Sequence, residues 1–226
     1  MNKLVLLLLS SSILLSCSLA PESRIMPAEG VKTIKKTSPK RLRAFSEHTL
    51  SNGLRVLLIK DESLPILGFH MLVKSGYSRD PAGGSGTAQM MSALLEKGTQ
   101  KRNAMQIADD LAQIGGDFNA AVASDFIYLS ASGLSYSRDK LLENFVEILT
   151  KPSFQDVEIE RLRKQMLAKQ LQTVDNASAF ASQAFQEYLF SPHPYARTAL
   201  GKRSDVTKLK KTQIIRFYLT NVRPNN

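Results

Sequence analysis

The sequence predicts an α+β fold in which helices pack on one face of a largely antiparallel sheet. Residues 44–61 form two runs of alternating apolar and polar residues on either side of Asn52-Gly53, a dipeptide typical of a tight hairpin. From about Arg138 the pattern changes to the period of amphipathic helices. Because the strands come first and the helices later, the pattern favours segregated layers over alternating βαβ units.

The elements before residue 138 follow from changes in this period. A glycine at the end of each predicted helix supplies the left-handed conformation that closes helices. Weak alternation with Phe, Ile and Tyr predicts two adjacent strands that turn near Ser124-Asp125. The predicted elements are strands at 44–50, 54–61 and 66–76, helices at 87–98 and 105–116, and two strands within 117–134.

Four further helices are predicted after Arg138. The first carries one apolar stripe, made of Leu141, Leu142, Phe145, Ile148 and Leu149. The others comprise residues 156–174, 177–190 and 210–219. For the aromatic residues along the later helices, core packing is favoured over a ligand pocket. These aromatic residues are Phe180, Phe185, Tyr188, Phe217 and Tyr218.

The N-terminus has the layout of an export signal. Lys3 precedes an apolar run that is short for a membrane span, and small residues follow around Cys17. Leu14-Leu15-Ser16-Cys17 resembles a lipobox, which predicts a signal peptide at 1–16 and a lipid on Cys17. A competing cleavage after Ala20 would release a soluble chain instead. We expect the lipid-anchored form, located in a bacterial cell envelope.

Residues 17–43 are rich in Pro, Ser and Lys and predict a flexible basic tether, which leaves 44–226 as the folded domain. The chain has 30 Lys and Arg against 20 Asp and Glu, and the tether carries much of this excess beside the expected membrane. An exported chain without Trp or a basic-aromatic motif is not expected to bind nucleic acid. The single cysteine excludes an intrachain disulfide.

Residues 86–99, GTAQMMSALLEKGT, carry a resemblance to a known family. In the insulinase/pitrilysin family of zinc peptidases, this segment reads G-x-x-H-x-x-E-H followed by K-G-T. Further landmarks resemble that family's N-terminal domain in order: Asn52-Gly53, KSGYSRDP, the GG-x-x-NA segment at 115–120, SDFIYLSAS, HPYARTALG and RPNN. The resemblance implies an insulinase/pitrilysin-like domain over residues 44–226.

The zinc ligands of the family are replaced in this chain. The two His positions hold Gln89 and Ala93, and the position of the general base holds Ser92. The family's third ligand, a Glu in a later helix, corresponds to Lys169, and residues 161–174 contain no Asp or Glu. The family uses zinc, but we expect no cofactor here, because these side chains offer no suitable donor set.

Other catalytic constellations are absent from the sequence. The three histidines, His48, His70 and His193, have no ligand spacing between them, so structural roles are favoured for each. No G-x-S-x-G elbow occurs, and the GGSG run at 83–86 lacks the Lys-Ser/Thr of a phosphate loop. In the family, the strand after GG-x-x-NA binds peptides, so the resemblance implies peptide contact at Asn119 and Ala120. A turn-capping role for Asn119 is the alternative.

The family also builds chambers from paired halves, in which a metal-free subunit accompanies a zinc-binding one. The leading hypothesis is therefore a catalytically inactive, membrane-tethered partner subunit of a zinc metallopeptidase, in contact with peptide or unfolded polypeptide. A standalone peptide-binding or envelope-scaffolding lipoprotein is the alternative, and an active zinc metalloendopeptidase is a third hypothesis. In the family, RPNN leads into another buried strand, so we expect either a fragment of a longer protein or a truncated fold lacking that strand.

Overall fold

The computed structural model describes residues 44–226, so the predicted signal peptide, the tether and Cys17 lie outside the described residues. Five strands and seven α-helices occur within 44–226. The strands are β1 Phe45–Thr49, β2 Arg55–Ile59, β3 Ile66–Val73, β4 Asp117–Val122 and β5 Ile127–Leu134. The helices are α1 Thr87–Leu95, α2 Ala104–Gln113, α3 Arg138–Thr150, α4 Asp156–Asp175, α5 Ala177–Phe190, α6 Arg203–Lys208 and α7 Lys211–Asn221.

All strand pairs in this region are antiparallel, which confirms the predicted fold class. β5 lies between β3 and β4 in a three-stranded sheet, with Ser130 opposite both His70 and Asn119. β1 and β2 form a separate hairpin around Asn52-Gly53. Among residues 44–226, β2 and β3 do not pair with each other. The strands that were expected in one sheet therefore form two separate sheets.

α1 is the most buried helix of the core. Seven of its nine residues are buried, and it contacts β4, α4 and α7. A helix that is buried on nearly all sides gains its stability from packing rather than from capping or propensity. The buried side chains above it in the sheet include Ile127 and Leu129 of β5, and α3 packs on β5 from the same side.

Four of the expected core residues are exposed. Leu142 is 43% exposed, because it points away from the stripe that buries its four companions in α3. Phe180, Phe185 and Tyr188 on α5 are 50%, 64% and 86% exposed. α5 is an outer helix with no buried residue, and helical periodicity alone does not show how many layers cover a helix. Phe217 is buried as predicted, and the Tyr218 hydroxyl donates to the Leu149 carbonyl at 2.6 Å.

α6 was not expected, because its six residues carry a single buried apolar side chain, Val206, and show no period. Within residues 44–226, no helix combines the length and the apolar character needed to cross a bilayer.

A buried carboxylate holds the N-terminus of α1. Asp80 is 4% exposed, and its two oxygens accept the main-chain N–H groups of Gly86 at 2.7 Å and Ala88 at 2.8 Å. The Arg197 guanidinium donates to the main-chain carbonyls of Asp80 at 2.6 Å and Ser78 at 3.1 Å. A carboxylate at a helix N-terminus satisfies orphan donors and complements the helix dipole.

The segment after α5, residues 197–205, also contacts the loop that leads into α1. Asp205 accepts hydrogen bonds from the Ser85 amide at 3.1 Å and the Ser85 hydroxyl at 2.7 Å. Gly201 has φ +68°, and a Cβ there would lie 2.3 Å from the Ser85 carbonyl oxygen. Glycine is therefore required at 201 for this close approach. Residues 80–88 and 197–205 together fix the position of α1.

A second polar network ties the loop after α1 to α2 and α3. The Arg102 guanidinium contacts the carboxylate of Asp110, the Glu147 carboxylate at 2.9 Å and the side-chain amide oxygen of Asn144 at 2.5 Å. Thr99 donates to Glu147 at 2.6 Å. The side chains of Arg102 and Glu147 are only 20% and 13% exposed, so solvent screens this network little.

Arg102→Ala should therefore destabilise the domain strongly. Its removal takes the guanidinium away from Glu147, Asp110 and the side-chain oxygen of Asn144, and we expect the free energy of unfolding to fall by about 2 kcal/mol. Urea unfolding followed by circular dichroism measures this change. Arg138→Ala is the matched control, because its ion pair with Asp139 is 67% and 85% exposed. Equal losses in the two variants would contradict the structural role of Arg102.

Asp80 gives the unfolding free energy a defined pH dependence. Burial raises the pKa of Asp80 from its ordinary 3.8 to about 6, against the lowering effect of the helix N–H groups and Arg197. A raised carboxyl pKa means that the folded state binds the proton more tightly than the unfolded state. This group therefore adds to stability as the pH falls from about 6 towards about 4, by an amount on the order of 3 kcal/mol.

Asp80→Asn cannot titrate and isolates this contribution. The difference in unfolding free energy between the wild type and Asp80→Asn should shift in favour of the wild type as the pH falls across that window. It should be constant above about pH 7. Urea titrations of both proteins at a series of pH values measure the difference. A difference that does not change with pH would show that Asp80 has an ordinary pKa in the folded chain.

Candidate functional site

α1 presents the three positions at which the sequence resembles a metal-binding helix. Gln89 and Ala93 are one turn apart and half-buried on the same side of the helix. Ser92 is turned into the core, 1% exposed, and its hydroxyl is buried without a hydrogen-bond partner. The spacing of the helix is intact, but the side chains that would carry the chemistry are absent.

These residues do not fit a zinc ion. Gln89 offers a neutral amide oxygen, Ser92 a neutral hydroxyl that is enclosed by the core, and Ala93 no donor at all. Within residues 44–226, no group of three His, Cys, Asp or Glu side chains could hold a metal ion. These residues therefore do not support a metal-dependent chemical step.

The position of the third ligand lies on α4, which packs against α1. Lys169 is exposed on this helix, and its ammonium would repel a cation. The next residue, Gln170, makes hydrogen bonds within the fold. Its side-chain amide nitrogen donates to the main-chain carbonyls of Leu200 at 2.9 Å and Gly201 at 3.0 Å. The Gln170 amide oxygen is buried without a partner. At this position, α4 therefore binds the 197–205 segment instead of a metal ion.

Sequence reasoning missed a carboxylate on the same side of α1. Glu96 caps the helix three residues after Ala93 and seven after Gln89, a spacing that continues the row of Gln89 and Ala93. Its carboxylate lies near the main-chain N–H of Ala120 in β4. Burial raises the pKa of Glu96, and the lowering effects of the Lys97 ammonium, 3.8 Å away, and of the Ala120 N–H do not offset it.

Within residues 44–226, β4 is an edge strand, because β5 is the only strand there that pairs with it. The Ala123 N–H donates to the Phe126 carbonyl at 2.9 Å, which fixes the alternation of the ladder. In antiparallel pairing, every second residue exchanges main-chain hydrogen bonds with the partner strand. Asp117, Asn119 and Ala121 therefore bond to β5. The main-chain groups of the other three β4 residues, Phe118, Ala120 and Val122, point to the free edge.

This alternation separates the roles of Asn119 and Ala120. Asn119 lies inside β4 with an exposed side chain, so the turn-capping alternative is wrong. Its main chain bonds to β5, and only its side chain is available to a ligand. Ala120 presents its N–H and carbonyl to the free edge and its methyl group to the core. Of the two residues, Ala120 is the one that could pair with an extended peptide.

The three histidines lie apart from this site. His48 is exposed on β1. The His70 ring on β3 forms a 2.5 Å hydrogen bond between Nδ1 and the Tyr128 hydroxyl. His193 Nδ1 accepts the main-chain N–H of Tyr195 at 3.2 Å. These contacts confirm the structural interpretation for His70 and His193.

Comparison with known proteins identifies relatives of this arrangement. Residues 55–203 match the family model "Insulinase (Peptidase family M16)". An uncharacterized zinc protease of Rickettsia bellii is 24% identical over 173 residues, covering 76% of this chain and 42% of the relative. The non-peptidase homolog YmxG of Helicobacter pylori is 26% identical over 165 residues, covering 72% of this chain and 38% of the relative.

A solved structure supports the same assignment. The crystal structure of a peptidase M16 inactive domain from Pseudomonas fluorescens matches with a TM-score of 0.74 and 25% identity, covering 77% of this chain and 43% of that one. The chain spans about two fifths of the length of these relatives. The family match extends over well more than half of the chain and includes α1, β4 and α4. The chain is therefore a member of the insulinase family of peptidases, family M16.

Proposed function

We propose that this chain is a non-catalytic M16 homologue that acts as the metal-free partner subunit of an active zinc metallopeptidase, tethered to a membrane. One observation carries the proposal: α1 keeps its buried position in the core, while its ligand positions hold Gln89, Ser92 and Ala93. Function lies in the residues of a site and not in its fold, so a scaffold with these three side chains lacks the groups that the family's hydrolysis uses.

The names of two relatives support a non-catalytic role. One curated relative is named a non-peptidase homolog, and one structural relative is described as an inactive domain. Other relatives are named zinc proteases, so members with and without an assigned activity occur among similar proteins. The relatives are more than twice as long as the matched region.

The free edge of β4 supports a peptide as the shared ligand. Extended peptides add to such edges through main-chain hydrogen bonds, which require little of the peptide sequence. Phe118, Ala120 and Val122 supply these groups, because they form the pairs of the β4–β5 ladder that exchange no main-chain hydrogen bonds. A peptide or unfolded polypeptide bound at this edge would lie beside α1, the helix that carries metal ligands in an intact homologue.

The same edge favours a second candidate function. A lipoprotein that binds peptides or scaffolds an envelope assembly would need β4 but no peptidase partner. A neighbouring gene for a homologue with an intact H-x-x-E-H motif would favour the partner-subunit hypothesis. An active metalloendopeptidase is the weakest hypothesis, because none of the four ligand or base positions holds a suitable side chain.

Co-purification with metal analysis tests the main proposal. The full-length chain, tagged at its C-terminus and purified from native membranes in mild detergent, should recover an M16 homologue with an intact motif. Zinc should be stoichiometric with that homologue and substoichiometric with this chain after the subunits are separated. Recovery of this chain without any metallopeptidase would contradict the partner role. Stoichiometric zinc on the isolated chain, with peptide cleavage, would contradict the non-catalytic role.

Labelling with a radioactive fatty acid tests the membrane tether. The wild type should incorporate the label and fractionate with membranes, while Cys17→Ala should incorporate none, because Cys17 is the only cysteine. Several acyl chains on one residue hold a protein on a membrane durably, so the label and the membrane fraction should be lost together. Ser18→Ala is the control next to the proposed attachment site. Label that persists in Cys17→Ala would exclude the lipid anchor.

A further inference from the structure

A groove of about 430 Å³ lies beside the loop that leads into α1. Residues of α4 and α5, the segment 196–203 and Ser85 line it. Gln89, Ala93 and the residues of β4 are not among the lining residues, so the groove is separate from the candidate functional site. A volume of this size accommodates a small ligand or the end of a peptide chain.

Hydrogen bonds hold the walls of this groove in place. Gln170 on α4 donates to two main-chain carbonyls of the segment. The side-chain nitrogen of Gln186 on α5 donates to the main-chain carbonyls of Tyr195 at 2.8 Å and Arg197 at 3.1 Å. The Arg197 guanidinium in turn donates to main-chain carbonyls before α1. The groove is therefore preformed, which lowers the cost of ordering it around a ligand.

Part of the groove wall is apolar. Leu171 and Val174 on α4 and Phe180 on α5 line the groove and are exposed to solvent. Leu171 and Val174 are three residues apart and therefore share a face of α4. An apolar group that enters between these side chains removes apolar surface from water on both sides of the contact. The wall therefore favours a ligand with an apolar side chain or hydrocarbon chain.

The groove also has an excess of positive charge. Arg197, Lys202 and Arg203 line it, and Glu187 is the one acidic side chain among the described residues that do so. Asp205 attracts Lys202, but within residues 44–226 neither Lys202 nor Arg203 forms an ion pair. The charges of these two residues are therefore available to a ligand, and a carboxylate complements them.

Gln183 distinguishes a peptide from other apolar carboxylates. Its half-buried side chain lines the groove, one turn after Phe180 on α5. Within the part of the chain that the structure describes, the Gln183 amide makes no hydrogen bond. A side-chain amide can accept a peptide N–H and donate to a peptide carbonyl, whereas the hydrocarbon chain of a fatty acid offers neither partner. The three features together favour the end of a peptide over a fatty acid.

We propose that this groove binds the C-terminal end of a peptide whose last residues are apolar. The terminal carboxylate lies against Lys202 and Arg203. An apolar side chain packs on Phe180, and a main-chain amide bonds to Gln183. Glu187 repels a second carboxylate, so the groove disfavours acidic residues next to the peptide terminus. Peptide hydrolysis creates a new C-terminal carboxylate at each cleavage and is the class of reaction that supplies such ligands. The inference requires neither the β4 edge nor the partner subunit.

Isothermal titration calorimetry with two peptides tests the proposal. Both are pentapeptides, acetylated at the N-terminus and ending in two leucines, but one ends in a carboxylate and the other in an amide. The protein is the full-length chain in phosphatidylcholine nanodiscs. The carboxylate peptide should bind about tenfold more tightly than the amide, and salt should reduce this difference because Lys202 and Arg203 are exposed. Equal affinities, or no binding of the carboxylate peptide, would overturn the proposal.

Variants with matched controls locate the peptide. Lys202→Ala combined with Arg203→Ala should weaken the carboxylate peptide about tenfold and leave the amide peptide unchanged. Lys208→Ala, which removes an exposed cation of α6 outside the groove, should have no effect. Phe180→Ala should weaken both peptides about fivefold through lost apolar contact, while Phe185→Ala, an exposed position of α5 outside the groove, should not. Controls that weaken binding as much as the groove variants would contradict the assignment to this groove.

Dodecanoate separates a peptide from a fatty acid as the source of the carboxylate. Gln183→Ala should weaken the carboxylate peptide about threefold and leave the affinity for dodecanoate unchanged. Dodecanoate that binds more tightly than the peptide and is not displaced by it would show a fatty-acid site and overturn the peptide assignment. Failure of these tests leaves the partner-subunit proposal standing, because that proposal depends on α1 and β4 and is tested by co-purification.

Discussion

The Asp80 carboxylate fixes the helix on which the rest of the domain depends. It satisfies N–H groups at the start of α1, and Arg197 bonds to the main chain of the same residue. α1 then lies among β4, α4 and α7, so its position decides how the sheet and the later helices meet. The residues that hold α1 come from both ends of the domain, so the hydrogen bonds of Asp80 and Arg197 join segments that are far apart in sequence.

These hydrogen bonds explain how α1 keeps its place in the core without a metal. In a metal-binding helix, the ion contributes free energy to the fold by joining its ligands. Here the same helix is held by buried Met90, Met91 and Leu94, and by Asp80 at its N-terminus. Ser92 fits this arrangement, because a glutamate at a position that is 1% exposed would be a buried charge without a cation nearby. The unpartnered Ser92 hydroxyl is a smaller penalty than an unpartnered carboxylate.

The sequence predicted the parts of the fold that local patterns specify. Asn52-Gly53 marked the β1–β2 hairpin, and alternation around Ser124-Asp125 marked β4 and β5. Patterns could not show which strands share a sheet, because pairing depends on partners distant in the chain. They also could not place Phe185 and Tyr188 outside the core, since a helix in an outer layer can have the same composition as a buried one. α6 was too short to show a period.

The absence of the zinc ligands could be predicted from the sequence, but the contacts between the elements of the candidate site could not. Gln89, Ser92 and Ala93 could be identified from spacing along one helix, because residues four apart share a face. The position of α1 beside β4 depends on two elements that are distant in the chain, and only the structure shows it. The row of Gln89, Ala93 and Glu96 along α1 has one charged member, Glu96, which is half-buried at the end of the helix. An amide and a single carboxylate do not replace two imidazoles and a general base, so the side chains on α1 do not supply the groups that the family's hydrolysis uses.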